Sequence, residues 1–201
     1  MKLVAIVGTN SDRSTNRKLL KFMAKHFSDS ADIEILEIKG LPAFNEPEDK
    51  LAPAPVADFS QKIASADGVI IATPEYDHTI PAPLASALEW IAYTSRVLIN
   101  KPTMIVGASL GALGTSRAQA HLRQILDAPE LKARIMPGTE FFLGHSEQVL
   151  DDDFISITLK KSPNLKTISK NSNHLLRLVI KSLAKQTQTA KEHLLGKPNR
   201  R

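Results

Sequence analysis

The chain opens with a buried-strand pattern that runs directly into a polar loop and a helix, and this order constrains the fold more than any other feature. Residues 3–7 form an unbroken apolar run rich in branched side chains, which is typical of a parallel strand covered on both faces. Gly8 ends the run, and residues 9–16 carry no apolar side chain. A helical pattern then covers residues 14–27. The order predicts a strand, a loop, and a helix that begins beside the carboxyl end of the strand.

The loop between this strand and this helix has the composition of an anion site. A helix N-terminus presents free N–H groups and the positive end of the helix dipole. Arg13 adds a planar cation suited to phosphate. The side chains that can add donors are those of Thr9, Ser11, Ser14 and Asn16. The alternative is an ordinary capped helix that follows a strand. The glycine patterns of dinucleotide-binding sites and of P-loops are both missing from this loop, which excludes those two kinds of site here.

Further strands and helices alternate along the chain. The predicted strands are residues 33–38, 68–73, 103–108 and 134–143, the last interrupted by Pro137 and Gly138. The predicted helices are residues 56–66, residues 81 or 82 to 94, and residues 115–126. Strands that alternate with helices at this spacing imply right-handed crossover connections. The chain is therefore predicted to form an α/β fold, with a parallel sheet covered by helices on both faces.

Composition narrows the class of protein further. The chain has 201 residues, 42% of them hydrophobic, which suits one well-filled domain over residues 1–201. It contains no cysteine, which excludes disulfides, thiolate nucleophiles and cysteine-ligated metal centres. No apolar run is long enough to span a membrane, and the first strand begins too early to leave room for a secretory signal. We therefore expect a cytoplasmic protein that does not bind a membrane.

Charge is distributed unevenly, although the net charge is only +5. Residues 1–159 hold 15 Lys and Arg against 20 Asp and Glu, whereas residues 160–201 hold 11 against one. Such a basic segment could bind nucleic acid, but it carries no aromatic side chain on which bases could stack, so we expect no specific nucleic-acid binding. It is predicted instead to form an amphipathic helix over about residues 172–195, followed by a frayed end. Asp151, Asp152 and Asp153 precede it and are predicted to form a solvated loop, with a metal site as the alternative.

Three polar loops follow strands at the same predicted edge of the sheet. We call residues 9–16 loop 1, residues 73–81 loop 2 and residues 109–119 loop 3. In an open parallel sheet, ligands bind beyond the carboxyl ends of the strands, where the strand order reverses. Prolines stiffen both ends of loop 2, which also carries Tyr76, and the glycines of loop 3 allow a flat ring to approach the backbone. Together the loops indicate a planar, phosphorylated cofactor.

These motifs resemble those of the NAD(P)H-dependent FMN reductase family of flavodoxin-like proteins, which also includes quinone, chromate and azo-dye reductases. The residues that match the family's three motifs are, in chain order, Gly8, Thr9, Ser11, Arg13, Ser14 and Asn16, then Pro74, Glu75 and Tyr76, then Ser109, Gly111, Gly114, Arg117, Gln119, Leu122 and Arg123. The resemblance covers about residues 1–145 and leaves the basic segment outside. It is specific, because the three motifs occur in order at the ends of successive strands.

The resemblance implies a flavodoxin-like three-layer α/β/α sandwich with a five-stranded parallel sheet in the order 2-1-3-4-5. It implies FMN and NAD(P)H as cofactors. Hydride would pass from NAD(P)H through the flavin to a small-molecule electron acceptor such as free flavin, a quinone, an azo dye or an oxyanion, with ping-pong kinetics. No side chain is expected to be catalytic, because the cofactor carries the redox chemistry. The FMN-binding residues that the resemblance implies are Thr9, Ser11, Arg13, Ser14, Thr15, Asn16, Pro74, Glu75, Tyr76, Asp77, Ser109, Leu110, Gly111 and Gly114.

Three charged or titratable residues of loops 2 and 3 could have roles other than binding FMN. Asp77 stands where the family has Asn, and a carboxylate facing the ring would disfavour an anionic reduced flavin. We expect its backbone to make the family's contact while its side chain turns away. His78 could donate a proton, but hydride transfer from a nicotinamide needs no protein acid. Arg117 is expected to hold loop 3 in register rather than to contact the cofactor.

Two other classes of function stay open from the sequence. A flavodoxin-type electron carrier would bind FMN without oxidising NAD(P)H, although such carriers are usually strongly acidic and this chain has a net charge of +5. A regulatory or scaffold protein would keep only a vestigial flavin site. The resemblance also implies a homodimer or tetramer, for which Trp90, Ile91 and Tyr93 are the predicted interface residues.

Overall fold

The computed structural model describes residues 1–137, 140–148 and 150. Within these residues the strands are β1 (Lys2–Val7), β2 (Asp32–Glu37), β3 (Gly68–Ala72), β4 (Pro102–Ala108), β5 (Arg134–Ile135) and β6 (Phe141–Leu143). The α-helices of the same part are α1 (Thr15–His26), α2 (Ala54–Ser65), α3 (Ala82–Trp90) and α4 (Ser116–Leu126). A π-helical turn, Ile91–Ser95, extends α3, and a 3-10 turn, Ser146–Gln148, follows β6. The bounds agree closely with the predicted elements.

The strands form one sheet in the order β2-β1-β3-β4-β5, and all the pairings in it are parallel. This confirms the predicted α/β class and the order 2-1-3-4-5. The predicted fifth strand is present as two short segments, β5 and β6, which pair with β4 one after the other. Pro137 lies between them and has no N–H to donate, which accounts for the predicted interruption. The strand order reverses between β1 and β3, because β2 lies on the other side of β1.

Both faces of the sheet are buried, as the apolar runs of the strands predict. The central strands β3 and β4 are buried along their whole length. On one face, Leu3 of β1 lies in the same apolar cluster as Met23 of α1. On the other face, Val4 lies in a cluster with Ile63 of α2 and Leu88 of α3. The core therefore fixes the sheet rigidly between its helices, and the loops after β1, β3 and β4 come together at its carboxyl edge.

The residues predicted to form an oligomer interface at the end of α3 lie largely inside the protein. Trp90 is 2% exposed and Ile91 is 0% exposed, so neither can contact a second copy and the prediction for these two residues is wrong. The indole N–H of Trp90 donates to the carbonyl oxygen of Pro42 at 2.9 Å. Phe44 packs edge-on against Trp90 and against the partly buried ring of Tyr93. The physical reason is the loop after β2, which folds over this end of α3 and covers its apolar side chains.

The basic segment lies outside the described residues. The helix over about residues 172–195, the solvated loop at Asp151, Asp152 and Asp153, and the frayed end therefore stay predictions, as does the single domain over residues 1–201. Within the described part of the chain, no helix is both long and apolar enough to cross a membrane. The same part contains no group of three or more His, Cys, Asp or Glu residues placed to hold a metal ion.

Candidate functional site

A cleft of about 510 Å³ lies beyond the carboxyl ends of β1, β3 and β4. Its volume falls within the range of about 300–1,000 Å³ that small-molecule and cofactor sites occupy. The residues that line it are Thr9, Arg13, Ser14, Thr15, Asn16, Pro74, Glu75, Tyr76, Ala108, Ser109, Leu110, Gly111 and Glu147. All three predicted loops therefore meet at one cleft, beside the point where the strand order reverses.

Three of the predicted binding residues, Ser11, Asp77 and Gly114, do not line this cleft. The N–H of Ser11 donates to Oγ1 of Thr9 at 3.2 Å, which folds loop 1 back on itself. Gly114 is a buried residue of loop 3 that packs against β6, and Asp77 lies at the exposed tip of loop 2. These three residues therefore belong to the loops around the cleft rather than to its lining. Contact of any of them with a cofactor stays a prediction.

Loop 1 and the start of α1 form one end of the cleft, where the helix N-terminus lies beside Arg13. Ser14 caps the helix, because its Oγ accepts a hydrogen bond from the N–H of Arg17 at 3.1 Å and its carbonyl accepts the first helical bond, from Lys18. The N–H groups of Thr15 and Asn16 precede that bond, so they have no carbonyl partner within the helix. Both residues line the cleft, together with Arg13, which is exposed. Free N–H groups, a helix dipole and a guanidinium at one place are chemically suited to an anion such as phosphate.

Asn16 contributes in a different way from the predicted one. Its side chain is buried, its Nδ2 donates to the carbonyl oxygen of Ala108 at 2.9 Å, and its Oδ1 accepts from the N–H of Ala108 at 2.8 Å. This pair of bonds joins the start of α1 to the end of β4. Asn16 thereby fixes loop 1 relative to loop 3, and its carboxamide binds protein backbone rather than standing free as a donor for phosphate.

Glu75 joins loop 2 to the start of α4. Its carboxylate, only 12% exposed, accepts hydrogen bonds from Nη1 of Arg117 at 2.8 Å and from the N–H groups of Arg117 and Ala118 at 3.0 and 3.4 Å. Burial alone would raise the pKa of Glu75. The hydrogen bonds and the charge of Arg117 outweigh burial, so this pKa lies below its ordinary value and the carboxylate is ionised at neutral pH. These contacts support the structural role that the sequence predicts for Arg117.

The tip of loop 2 is a tight two-residue turn. Tyr76 and Thr79 exchange backbone hydrogen bonds of 3.0 and 2.9 Å. Between them, Asp77 and His78 both have positive φ, at 49° and 64°. Asn adopts this conformation more readily than most residues, and Asp follows it closely. The turn therefore gives a backbone reason for the Asn that the family has at this position. Both side chains are exposed and outside the cleft lining.

The two glycines of loop 3 have different surroundings. A Cβ added to Gly111 would meet no protein atom within 4 Å, so this glycine borders open space in the cleft. A Cβ added to Gly114, which has a φ of +57°, would lie 2.6 Å from the backbone of Phe142. Ser109 connects the two, because its Oγ donates to the carbonyl of Gly111 at 2.9 Å and accepts from the N–H of Gly114 at 3.0 Å. Gly111 leaves room for a ligand, whereas Gly114 allows loop 3 to pack on β6.

Two residues of the cleft, Ala108 and Glu147, were not predicted. Ala108 is the last residue of β4 and lines the cleft where its backbone binds Asn16. Glu147 lies in the 3-10 turn after β6, which is held against loop 3 by backbone hydrogen bonds of 3.0 Å from His145 to Gly111 and from Ser146 to Ser109. No motif marks Glu147, and its position depends on an edge strand that is broken in two. No sequence signal could have found it.

The fold and the cleft define an open parallel α/β protein of the flavodoxin-like class, with a cofactor cleft where the strand order reverses. Residues 1–148 match the family model described as NADPH-dependent FMN reductase, and the chain belongs to this family. It is accordingly an FMN-dependent oxidoreductase that takes electrons from NAD(P)H.

Individual relatives agree with this assignment. The chain is 54% identical over 192 residues to the NADH:(hydroxy)cinnamate reductase subunit CrdA of Vibrio ruber, a match that covers 96% of this chain and 95% of the relative. It is 48% identical over 158 residues to the NADH-dependent flavin reductase subunit 2 of Lactobacillus johnsonii, covering 75% and 83%. Its fold is similar to that of the flavoenzyme NAD(P)H:(acceptor) oxidoreductase FerB of Paracoccus denitrificans, with a TM-score of 0.78, 23% identity, and coverage of 92% of this chain and 98% of that one.

Two observations of the cleft fit the family's cofactor. The start of α1 and Arg13 provide positive potential and N–H donors for a phosphate group. Gly111 lines the cleft and has no protein atom within 4 Å of the position of a Cβ, so its backbone leaves room for a flat ring. The residues present therefore match FMN both in charge and in shape.

Proposed function

We propose that FMN binds in this cleft with its phosphate on loop 1 and its isoalloxazine ring between loops 2 and 3. The observation that carries the proposal is that an anion-binding helix start and an open glycine backbone line the same cleft. The guanidinium of Arg13 supplies a positive charge opposite the phosphate. The N–H groups of Thr15 and Asn16 donate hydrogen bonds to the phosphate oxygens. The backbone N–H of Gly111 and the exposed ring of Tyr76 lie beside the isoalloxazine in this arrangement.

When bound, FMN supplies the hydride-transfer chemistry, and the protein binds and orients it. Tyr76 and Leu110 flank the mouth of the cleft with exposed fractions of 49% and 60%, which leaves access for a nicotinamide. NAD(P)H and the electron acceptor would use this opening in turn, which is the basis for expecting ping-pong kinetics. His78 lies outside the cleft lining, so protons come from solvent rather than from this side chain.

We further propose that the chain is the NAD(P)H-oxidising subunit of a larger reductase. Both relatives described above are named as subunits. The match to the hydroxycinnamate reductase subunit covers 96% of this chain and so takes in most of the basic segment, whereas the match to the flavin reductase subunit covers 75%. This extent supports a subunit of the first kind. Action of the chain alone on quinones or free flavin is the second candidate, favoured by the open mouth of the cleft.

Reduction of a hydroxycinnamate tests the subunit proposal, because both candidates allow the purified chain to reduce a quinone. With NADH and FMN, the chain is expected to reduce a benzoquinone but not a hydroxycinnamate such as caffeate, for which the second subunit would be needed. The measurement is anaerobic loss of NADH and of caffeate absorbance. If the chain alone reduces caffeate as fast as it reduces the quinone, the subunit proposal is wrong.

We also propose that the chain forms a homo-oligomer and that it is located in the cytoplasm. The family resemblance supports a homodimer or tetramer, but its interface cannot include the buried side chains of Trp90 and Ile91. The absence of cysteine is in keeping with the cytoplasm.

Arg13→Ala tests the phosphate end of the cleft. The variant is expected to lower the affinity for FMN by roughly tenfold to a hundredfold, because one charge-assisted hydrogen bond contributes about 1.5–3 kcal/mol to binding. Riboflavin lacks the phosphate, so its affinity should change little. Fluorescence titration of the apoprotein with both flavins makes the comparison. Equal weakening of FMN and riboflavin would place the phosphate elsewhere.

A further inference from the structure

We propose that Arg17 is a positioning residue, which sets FMN affinity by holding the backbone of loop 1 without contacting the cofactor. The proposal rests on the proposed function, in which loop 1 binds the phosphate. Arg17 lies in the first turns of α1, is not part of the predicted binding set, and does not line the cleft.

The guanidinium of Arg17 bridges loop 1 and the end of β2. Its Nη1 donates to the carbonyl oxygens of Ser11 and Asp12 at 2.7 and 3.2 Å. Its Nε and Nη2 donate to the two carboxylate oxygens of Glu37 at 2.6 and 2.8 Å, a bidentate pair. The Arg17 side chain is 15% exposed. The Glu37 carboxylate raises the pKa of Arg17 further, although partial burial opposes this, so the cation is permanent.

These contacts leave the Arg17 guanidinium poorly placed to bind phosphate itself. All three of its nitrogen atoms already donate to protein acceptors, and Glu37 neutralises its charge at short range. Arg13 has the opposite setting, since it is exposed and lines the cleft. The two arginines therefore have different roles in this proposal: Arg13 lines the cleft where the phosphate binds, and Arg17 holds the backbone of loop 1.

Peptide geometry explains how Arg17 acts at a distance. In a trans peptide, the C=O and the N–H point in opposite directions, and the described residues contain no cis peptide. By binding the carbonyls of Ser11 and Asp12, Arg17 turns the N–H groups of Asp12 and Arg13 away from itself. Lys39, in the turn after β2, supports the same segment, with its Nζ 2.5 Å from Oδ1 of Asp12. Loop 1 is thus held in one conformation before any anion binds, which lowers the ordering cost of binding.

The test compares FMN and riboflavin affinity in Arg17→Met, with Lys25→Met as the control. Lys25 is exposed near the other end of α1, and its replacement removes the same charge without touching loop 1. Arg17→Met is expected to lower the affinity for FMN by roughly tenfold to a hundredfold, and the affinity for riboflavin by less than about twofold. Lys25→Met should leave both affinities unchanged. Arg17→Lys keeps the charge but not the planar fork, so its FMN affinity should fall between those of Arg17→Met and the natural protein.

A second measurement separates positioning from a general loss of stability. Amide hydrogen exchange of the apoprotein should become faster in loop 1 of Arg17→Met and stay unchanged in α4. Should Arg17→Met fail to fold, Glu37→Gln, which weakens the anchor and keeps Arg17, is expected to lower FMN affinity in the same direction by a smaller factor.

The outcomes distinguish this proposal from the proposed function. If Arg13→Ala lowers the preference for FMN over riboflavin and Arg17→Met does not, the role of Arg17 is wrong and the phosphate site stands. If neither variant changes the preference, the phosphate does not bind at loop 1 and both fail. Equal weakening of FMN and riboflavin in Arg17→Met would also overturn the positioning role.

Discussion

Gly111→Val is expected to give a folded protein that is isolated colourless and oxidises little NAD(P)H. A Cβ at this position meets no protein atom within 4 Å, so the substitution fits the apoprotein without strain. Because Gly111 lines the cleft, we expect the added methyl groups to occupy space in which the flavin ring is proposed to lie. Overpacking of a well-fitted site costs about 1–3 kcal/mol, which corresponds to a loss of FMN affinity of roughly tenfold to a hundredfold. Absorbance near the flavin band, FMN titration and circular dichroism measure colour, affinity and folding.

His78→Ala is the control for Gly111→Val. His78 lies at the exposed tip of loop 2 and outside the cleft lining, so this variant should keep its colour and most of its turnover. If Gly111→Val binds FMN normally while His78→Ala is inactive, loop 3 is not the ring site and His78 transfers a proton after all. Gly114→Ala gives a useful contrast, because its Cβ would collide with the backbone of Phe142 and damage the fold rather than the cleft.

Asn16→Ala is expected to reduce both stability and FMN affinity. The variant removes the two hydrogen bonds that Asn16 makes to the backbone of Ala108, which is 1% exposed. A buried backbone group left without a partner costs about 1–3 kcal/mol, and the free energy of unfolding should fall by about that amount. Loop 1 also loses its hydrogen bonds to β4, so the N–H groups proposed to bind the phosphate are no longer held opposite loop 3. Urea unfolding and FMN titration measure the two effects.

Thr15→Ala is the matched control for stability. Thr15 Oγ1 donates to the same carbonyl of Ala108, but at 3.3 Å and from a partly exposed side chain, and the Asn16 bonds remain in this variant. Its free energy of unfolding should therefore fall much less than that of Asn16→Ala. If the two variants unfold at the same urea concentration as the natural protein, Asn16 does not join the two loops as described.

The elements of the fold could be predicted because each strand carries a strong local signal. The apolar runs at residues 3–7 and 103–108 are too short for helices and too continuous for a half-exposed strand, so they predict buried parallel strands. Once the strands are parallel, their carboxyl ends share an edge, and loops 1, 2 and 3 must meet there. The location of the cleft followed from that rule before any contact was known.

Which residues of the cleft hold the loops together, and which are free to contact a ligand, could not be predicted in the same way. Asn16 and Glu75 match binding motifs, yet their partners, Ala108 and Arg117, lie far along the chain and come close only through the fold. Long-range hydrogen bonds of this kind leave no periodic pattern in a sequence. The burial of Trp90 depends similarly on the loop after β2, whose path over α3 is not encoded in helical periodicity.

Anaerobic titration of the FMN-loaded protein tests most directly whether this cleft binds FMN and whether NAD(P)H reduces FMN there. Addition of NADH or NADPH without oxygen should bleach the flavin absorbance, and a quinone should restore it. The same titration of Gly111→Val with stoichiometric FMN should show little bleaching. A folded protein that fails to take up FMN would contradict FMN binding in this cleft and favour a vestigial site. A protein that binds FMN and is not bleached by either nucleotide would contradict reduction by NAD(P)H and favour an electron carrier.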